Sequence, residues 1–124
     1  SDPGEIRPKH EFYSYEAKYI DSDGAELIIP ADISPELADK MKKIAVNAYL
    51  ALCCSGMARV DFFLDRDSED FYLNEINTLP GFTSISMYPK LWEASGIPYS
   101  RLLDTLIDLG LQRHKKVAKL KMVW

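Results

Sequence analysis

Two short β-prone runs, Ala58–Asp65 (ARVDFFLD) and Phe71–Thr78 (FYLNEINT), flank five residues, Arg66–Asp70, that are all charged or serine. Runs this short around so polar a connection pair as an antiparallel hairpin. An isolated hairpin is barely stable in water, so this one needs other elements packed against it.

Helices on either side can supply that packing. Ser34-Pro35 reads as a helix start, with serine as N-cap and proline in the first turn. From there Leu37, Met41, Ile44, Ala45, Ala48 and Leu52 recur at helical spacing, and Gly56 is expected just past the end. After the hairpin, Leu79–Ile85 reads as a loop. Ser86 then precedes an apolar-periodic stretch through Trp92 that stops at Gly96. Ser100 is expected to cap a last helix carrying Leu102, Leu103, Leu106 and Ile107 to about His114. Near the start, the aromatic-rich Phe12–Ile20 and the stretch Ala25–Pro30 flank an Asp-Ser-Asp-Gly turn and read as a hairpin or long loop. The expected fold class is α/β of the α+β type, an antiparallel sheet flanked by helices.

Bulk properties narrow the function. The content, 47% hydrophobic and 27% charged, is that of an ordinary globular protein, with no membrane-length apolar run and no signal pattern. The net charge is −4, yet Gln112–Trp124 carries five basic residues and no acid, leaving the remainder at −9. An acidic body argues against a nucleic-acid partner, and the basic tail is expected to be a frayed, solvated terminus. Cys53 and Cys54 are adjacent and are expected to be small helix residues packed in a core rather than a disulfide. The chain opens on Ser-Asp-Pro-Gly without an initiating methionine and is read as part of a longer protein.

The hairpin carries the chemistry. Strand side chains alternate faces, so Arg59, Asp61 and Phe63 share a face of the first strand, and Leu73, Glu75 and Asn77 share a face of the second. A loop centred on Ser68 sets Asp61 opposite Glu75 and Arg59 opposite Asn77. Opposed carboxylates repel across a strand pair, so something cationic belongs between them. Two carboxylates and an amide oxygen make an all-oxygen set suited to Mg²⁺, which completes its octahedron with water and phosphate oxygens. The same spacing also fits a solvent-exposed polar face closed by an Arg59–Asp61 ion pair. A calcium-binding loop is excluded: counting from Asp65, the sixth position is Asp70 rather than glycine and the twelfth is Ile76 rather than glutamate.

Arg59-Val-Asp61, the string Asn74-Glu-Ile-Asn-Thr-Leu-Pro-Gly-Phe-Thr83, Ser86-Met-Tyr-Pro89 and Phe12-Tyr-Ser-Tyr-Glu-Ala-Lys-Tyr19 together closely resemble the D-alanine–D-alanine ligases of the ATP-grasp superfamily. The likeness runs from about Pro3 to His114. It implies that residues 1–124 form the C-terminal ATP-grasp domain, with an ω-loop at about 12–30 and the N-terminal and central domains absent. It implies a cytoplasmic, homodimeric full-length enzyme that joins two D-alanines at the expense of ATP, for peptidoglycan synthesis. Asp61, Glu75 and Asn77 match the ligands of two Mg²⁺ ions, for which Mn²⁺ can substitute, with Glu75 bridging. Arg59 and the Gly81 N–H match donors to the tetrahedral intermediate's oxyanion. Ser86 and the Met87 backbone match the group holding the second D-alanine's carboxylate. Lys18 matches a lysine on the ATP phosphates, Tyr19 a tyrosine closing the site, and Phe12 a flank of the adenine. On the residues alone, Ser86 reads first as a plain N-cap, and Lys18 and Tyr19 as parts of an exposed strand. A non-catalytic binding remnant and another ATP-grasp ligase are the competing readings.

Overall fold

The computed structural model describes residues 1–8, 25–83 and 85–120. Its order is β1 (Glu5–Pro8), β2 (Ala25–Ile28), α1 (Pro35–Ala51), β3 (Arg59–Leu64), β4 (Phe71–Asn77), α2 (Met87–Ala94) and α3 (Tyr99–Ala118). Two antiparallel pairs, β1–β2 and β3–β4, lie among the three helices, an α+β arrangement as expected. No helix among the described residues is long and apolar enough to cross a membrane.

The partner of Ala25–Ile28 differs from the expected one. It is Glu5–Pro8, with Glu5 opposite Ile28 and Pro8 opposite Ala25; the stretch Phe12–Ile20 lies outside the described residues. Four residues containing a proline and two charges give little strand signal, so the pairing is set by tertiary context. Glu5 anchors this small sheet. Its carboxylate accepts from Arg7 Nε at 3.1 Å and is ion-paired with Arg66 of the β3–β4 loop. Burial pushes the Glu5 carboxyl up, but the two arginines outweigh it and hold the group below its ordinary range.

Helix α1 starts as its sequence demands. Ser34 Oγ accepts from the Leu37 N–H at 3.2 Å, with Pro35 in the first turn. Its end differs. Cys53, not Gly56, takes the left-handed position after the C-cap, at φ 52°. The Cys54 N–H donates to Tyr49 O at 3.1 Å and the Cys53 N–H to Leu50 O at 3.0 Å, a Schellman closure. The two cysteines therefore follow the helix instead of packing in a core, and Cys53 is exposed. A side chain in the left-handed region costs on the order of 1–2 kcal/mol. Cys53→Gly is accordingly expected to stabilise the protein by about 1 kcal/mol, read as a higher urea midpoint at unchanged slope. An unchanged midpoint would mean that the cysteine side chain makes contacts worth as much as the strain.

Helix α2 closes the same way on the residue expected, Gly96 at φ 88°, with the Ile97 N–H donating to Trp92 O at 2.8 Å. Helix α3 begins two residues earlier than Ser100 implied, with Pro98 as N-cap. It also continues to Ala118, so Arg113, Lys115 and Lys116 are helical, not frayed. The last two sit in the final turn, where the helix dipole favours cations.

The core is small. Leu37 and Met41 of α1, Tyr88 of α2 and Leu102 of α3 are its buried hydrophobics among the described residues. Burial raises the Tyr88 phenol above its ordinary value, partly offset by a hydrogen bond with Trp92. Of the residues expected inside, Ile44 is 36% and Leu52 65% exposed. Apolar surface this extensive, including Val46, Leu50, Ile107 and Leu111, marks faces that further protein would cover.

Candidate functional site

The site is built on the open end of the β3–β4 hairpin. Arg59 pairs with Asn77 and Asp61 with Glu75, the register expected from the loop centre. Beyond Asp61 the register shifts by one: Phe62 pairs with Leu73, leaving Asn74 as the extra residue of a bulge. The bulge corrects the face assignment. Leu73 pairs with Phe62 and so lies on the face opposite Glu75, not beside it. Phe62 and Phe71 pack edge-to-face at 5.6 Å on that apolar face, and Lys40 of α1 lies 5.2 Å above the Phe71 ring. One face of the hairpin is thus held toward α1, and the polar face is left outward.

On the polar face, charge is concentrated and partly compensated. Arg59 grips Asp61 with both arms of its fork, Nε to Oδ1 and Nη2 to Oδ2, each at 2.8 Å. The same Nη2 lies 3.4 Å from Glu75 Oε1. The ion pair that a plain polar face would need is therefore present, but it embraces both carboxylates. Glu75 keeps 54% of its side-chain surface exposed, against 31% for Asp61. The Asn77 side-chain oxygen accepts from the Leu79 N–H at 3.0 Å, which fixes its orientation while leaving a second lone pair. Among the described residues no three His, Cys, Asp or Glu side chains converge. The oxygen donors are thus two carboxylates and one oriented amide. This set fits a hard divalent cation whose remaining positions are filled by water and phosphate.

A second cluster follows directly in the chain. The Pro80-Gly81 loop doubles back so closely that a Cβ on Gly81 would stand 2.8 Å from Ser86 Oγ. Ser86 precedes α2 in extended conformation but makes no side-chain cap bond to it. Its hydroxyl turns back instead, accepting from the Thr83 N–H at 3.0 Å and lying 2.9 Å from Thr83 Oγ1. The loop is pinned from α3, where Tyr99 OH donates to Phe82 O at 3.3 Å, and by the Phe82 ring, 5.5 Å from Tyr88 and 5.8 Å from Tyr99.

The fold thus brings Arg59, Asp61, Glu75 and Asn77 together, and separately Gly81, Ser86 and Met87. Phe12, Lys18 and Tyr19 lie outside the described residues. Thr83 and Tyr99 were not anticipated as supports. For Thr83 the three-residue spacing to Ser86 was a usable signal; for Tyr99 there was none, because its contact crosses from another helix.

Comparison with known proteins adds independent findings. The family model described as D-ala D-ala ligase C-terminus matches residues 1–108. The chain is 56% identical over 121 residues to the D-alanine--D-alanine ligase of Caldicellulosiruptor bescii, covering 98% of this chain and 33% of that protein. It is 59% identical over 111 residues to the D-alanine--D-alanine ligase A of Escherichia coli, covering 90% and 30%. Among solved structures, the D-alanine-D-alanine ligase from Coxiella burnetii superposes with a TM-score of 0.73 at 48% identity, over 77% of this chain and 27% of that one. The VanG D-Ala:D-Ser ligase from Enterococcus faecalis does so with a TM-score of 0.72 at 40% identity, over 86% and 30%. The chain spans about a third of the length of the curated relatives it matches.

Proposed function

This chain belongs to the D-alanine–D-alanine ligase family, whose C-terminal domain it matches, and from that premise we propose that it is the catalytic face of an ATP-dependent ligase joining two D-alanines. The observation that carries the reading is the opposition of Asp61 and Glu75 across one hairpin, gripped by Arg59 and flanked by the oriented Asn77.

The chemistry asks for these groups. The carboxylate of the first D-alanine attacks the γ-phosphorus of ATP, giving an acyl phosphate and ADP. The amine of the second attacks the acyl carbon, and phosphate leaves with the electron pair of the broken C–O bond. Asp61, Glu75 and Asn77 would hold two Mg²⁺ ions. Bound there, the ions would neutralise phosphate charge so that two anions can approach. Arg59 stands at the end of the same face, where its guanidinium can donate to oxygen as negative charge develops on the acyl carbon's substituent, together with the Gly81 N–H. Ser86 and the Met87 backbone receive the second substrate's carboxylate. Lys18, Tyr19 and Phe12 complete the nucleotide side, by resemblance alone. The homodimeric state, the cytoplasmic location and the supply of peptidoglycan precursor are carried over on the same ground.

The acceptor is the finer question, since one structural relative is a D-Ala:D-Ser ligase. Tyr19 goes in this family with dipeptide formation, so the expected product is the amide-linked dipeptide D-alanyl-D-alanine. The test is phosphate release with D-alanine, D-serine and D-lactate offered in turn to the full-length polypeptide, with products identified by mass. Mainly the D-lactate ester, or no D-alanine-dependent phosphate, would refute the reading. The 124-residue chain by itself is expected to be inactive. Its charged face is open to water, where ion–phosphate attraction is weak, and a grasp site needs a second layer.

A further inference from the structure

We propose that Thr83 is a positioning residue on the acceptor side of the site: its hydroxyl donates to Ser86 Oγ and so directs the serine's own proton to the second substrate's carboxylate. This rests on the ligase reading above.

Thr83 and Ser86 are joined at three points. The Ser86 N–H donates to Thr83 O at 3.0 Å, closing a turn. The Thr83 N–H donates back to Ser86 Oγ at 3.0 Å, and the two hydroxyl oxygens stand 2.9 Å apart. The first two bonds hold Ser86 Oγ in place, and neither involves the threonine side chain. That side chain is branched at Cβ and stiff about χ1, which keeps its hydroxyl against the serine. The turn is itself anchored. The Phe82 ring rests against Tyr88 and Tyr99, and Phe82 O accepts from Tyr99 OH at 3.3 Å.

A count of protons decides what the third contact does. A serine hydroxyl offers one proton and two lone pairs. The Thr83 N–H takes one lone pair. When the Thr83 hydroxyl donates, it takes the second, and the serine proton must point elsewhere. In the reverse setting, the serine spends its proton on Thr83 Oγ1. Ser86 makes no side-chain bond to α2, so no helix cap competes for its oxygen. A carboxylate only accepts, so its arrival at Ser86 selects the first setting. Ser86 Oγ then accepts twice and donates once, and each bond in such a chain polarises the next. Thr83 acts through Ser86 and touches no reacting atom.

Thr83→Val tests this, because it removes the hydroxyl but keeps the branched shape and both backbone contacts. In the full-length protein it is expected to raise the KM of the second D-alanine about fivefold. The turnover number and the first D-alanine's KM are expected to stay within about twofold. Thr83→Ser, which keeps the hydroxyl, is expected to remain within about twofold of wild type throughout. Ser86→Ala should raise the same KM about tenfold or more. Adding Thr83→Val to it should change nothing further, because the relay has lost its recipient. Additive effects in that double variant would mean that Thr83 meets the substrate directly, and would overturn the proposal. An unchanged KM in Thr83→Val, a rise in Thr83→Ser as large as in Thr83→Val, or equal rises in both KM values would overturn it as well. Absence of D-alanine-dependent phosphate release by the wild-type protein would remove the ligase reading and this proposal together. Normal wild-type turnover with an unaffected Thr83→Val would remove the proposal alone.

Discussion

Glu75→Gln is expected to lower turnover by about 10³-fold or more while leaving the fold intact or slightly firmer. The two halves of this expectation have one origin. Glu75 faces Asp61 directly across the hairpin, and the Arg59 guanidinium offsets their repulsion. Opposed like charges cost roughly 0.2–1 kcal/mol in a strand pair, so neutralising one of them should not weaken the hairpin. Phosphoryl transfer, by contrast, rests almost wholly on electrostatic stabilisation, and glutamine keeps the shape but not the charge. The measurement is phosphate release across a magnesium titration, paired with a urea melt. Near-normal turnover at limiting magnesium would remove Glu75 from the ligand set. Loss of activity together with loss of stability would mark it as a structural residue instead.

Arg59→Lys is expected to lower kcat by about 10²–10³-fold, with the KM for ATP and for both substrates close to normal. Lysine preserves the positive charge, but not the planar fork that contacts Asp61 at two points 2.8 Å long and reaches Glu75 from the same nitrogen. A donor needed only as the oxyanion forms acts on the transition state, so its loss appears in kcat. Steady-state kinetics of the full-length protein separate the outcomes. A KM effect with unchanged kcat would mean that Arg59 serves ground-state binding, or only the ion pair.

Much of the hairpin was legible from its residues, because strand alternation and loop length are local properties. The pairing of Asp61 with Glu75 followed from the position of the loop centre. The bulge at Asn74 did not: one skipped residue changes no composition, yet it moved Leu73 to the opposite face. Likewise Ser34-Pro35 announced the start of α1 through two adjacent residues. Its end fell on Cys53, because the Schellman bonds were made where the helix stopped packing, and the nearest glycine, Gly56, stood three residues too late. Ser86 resembled an N-cap in sequence, but the approach of Gly81 and Thr83 drew its hydroxyl away from the helix.

Sequence by itself determined the starts of α1 and α2, the hairpin, its register at the open end and the identity of the polar groups carried there. These depend on hydrogen bonds and side-chain periods spanning a few residues, which the order of amino acids specifies directly. Tertiary structure decided that Glu5–Pro8 pairs with Ala25–Ile28 across the sixteen residues between them, that Arg66 locks onto Glu5, and that Gly4 lies against α2. Such contacts repay the entropy of closing a long stretch of chain only once other elements are in place. No local pattern of residues can announce them.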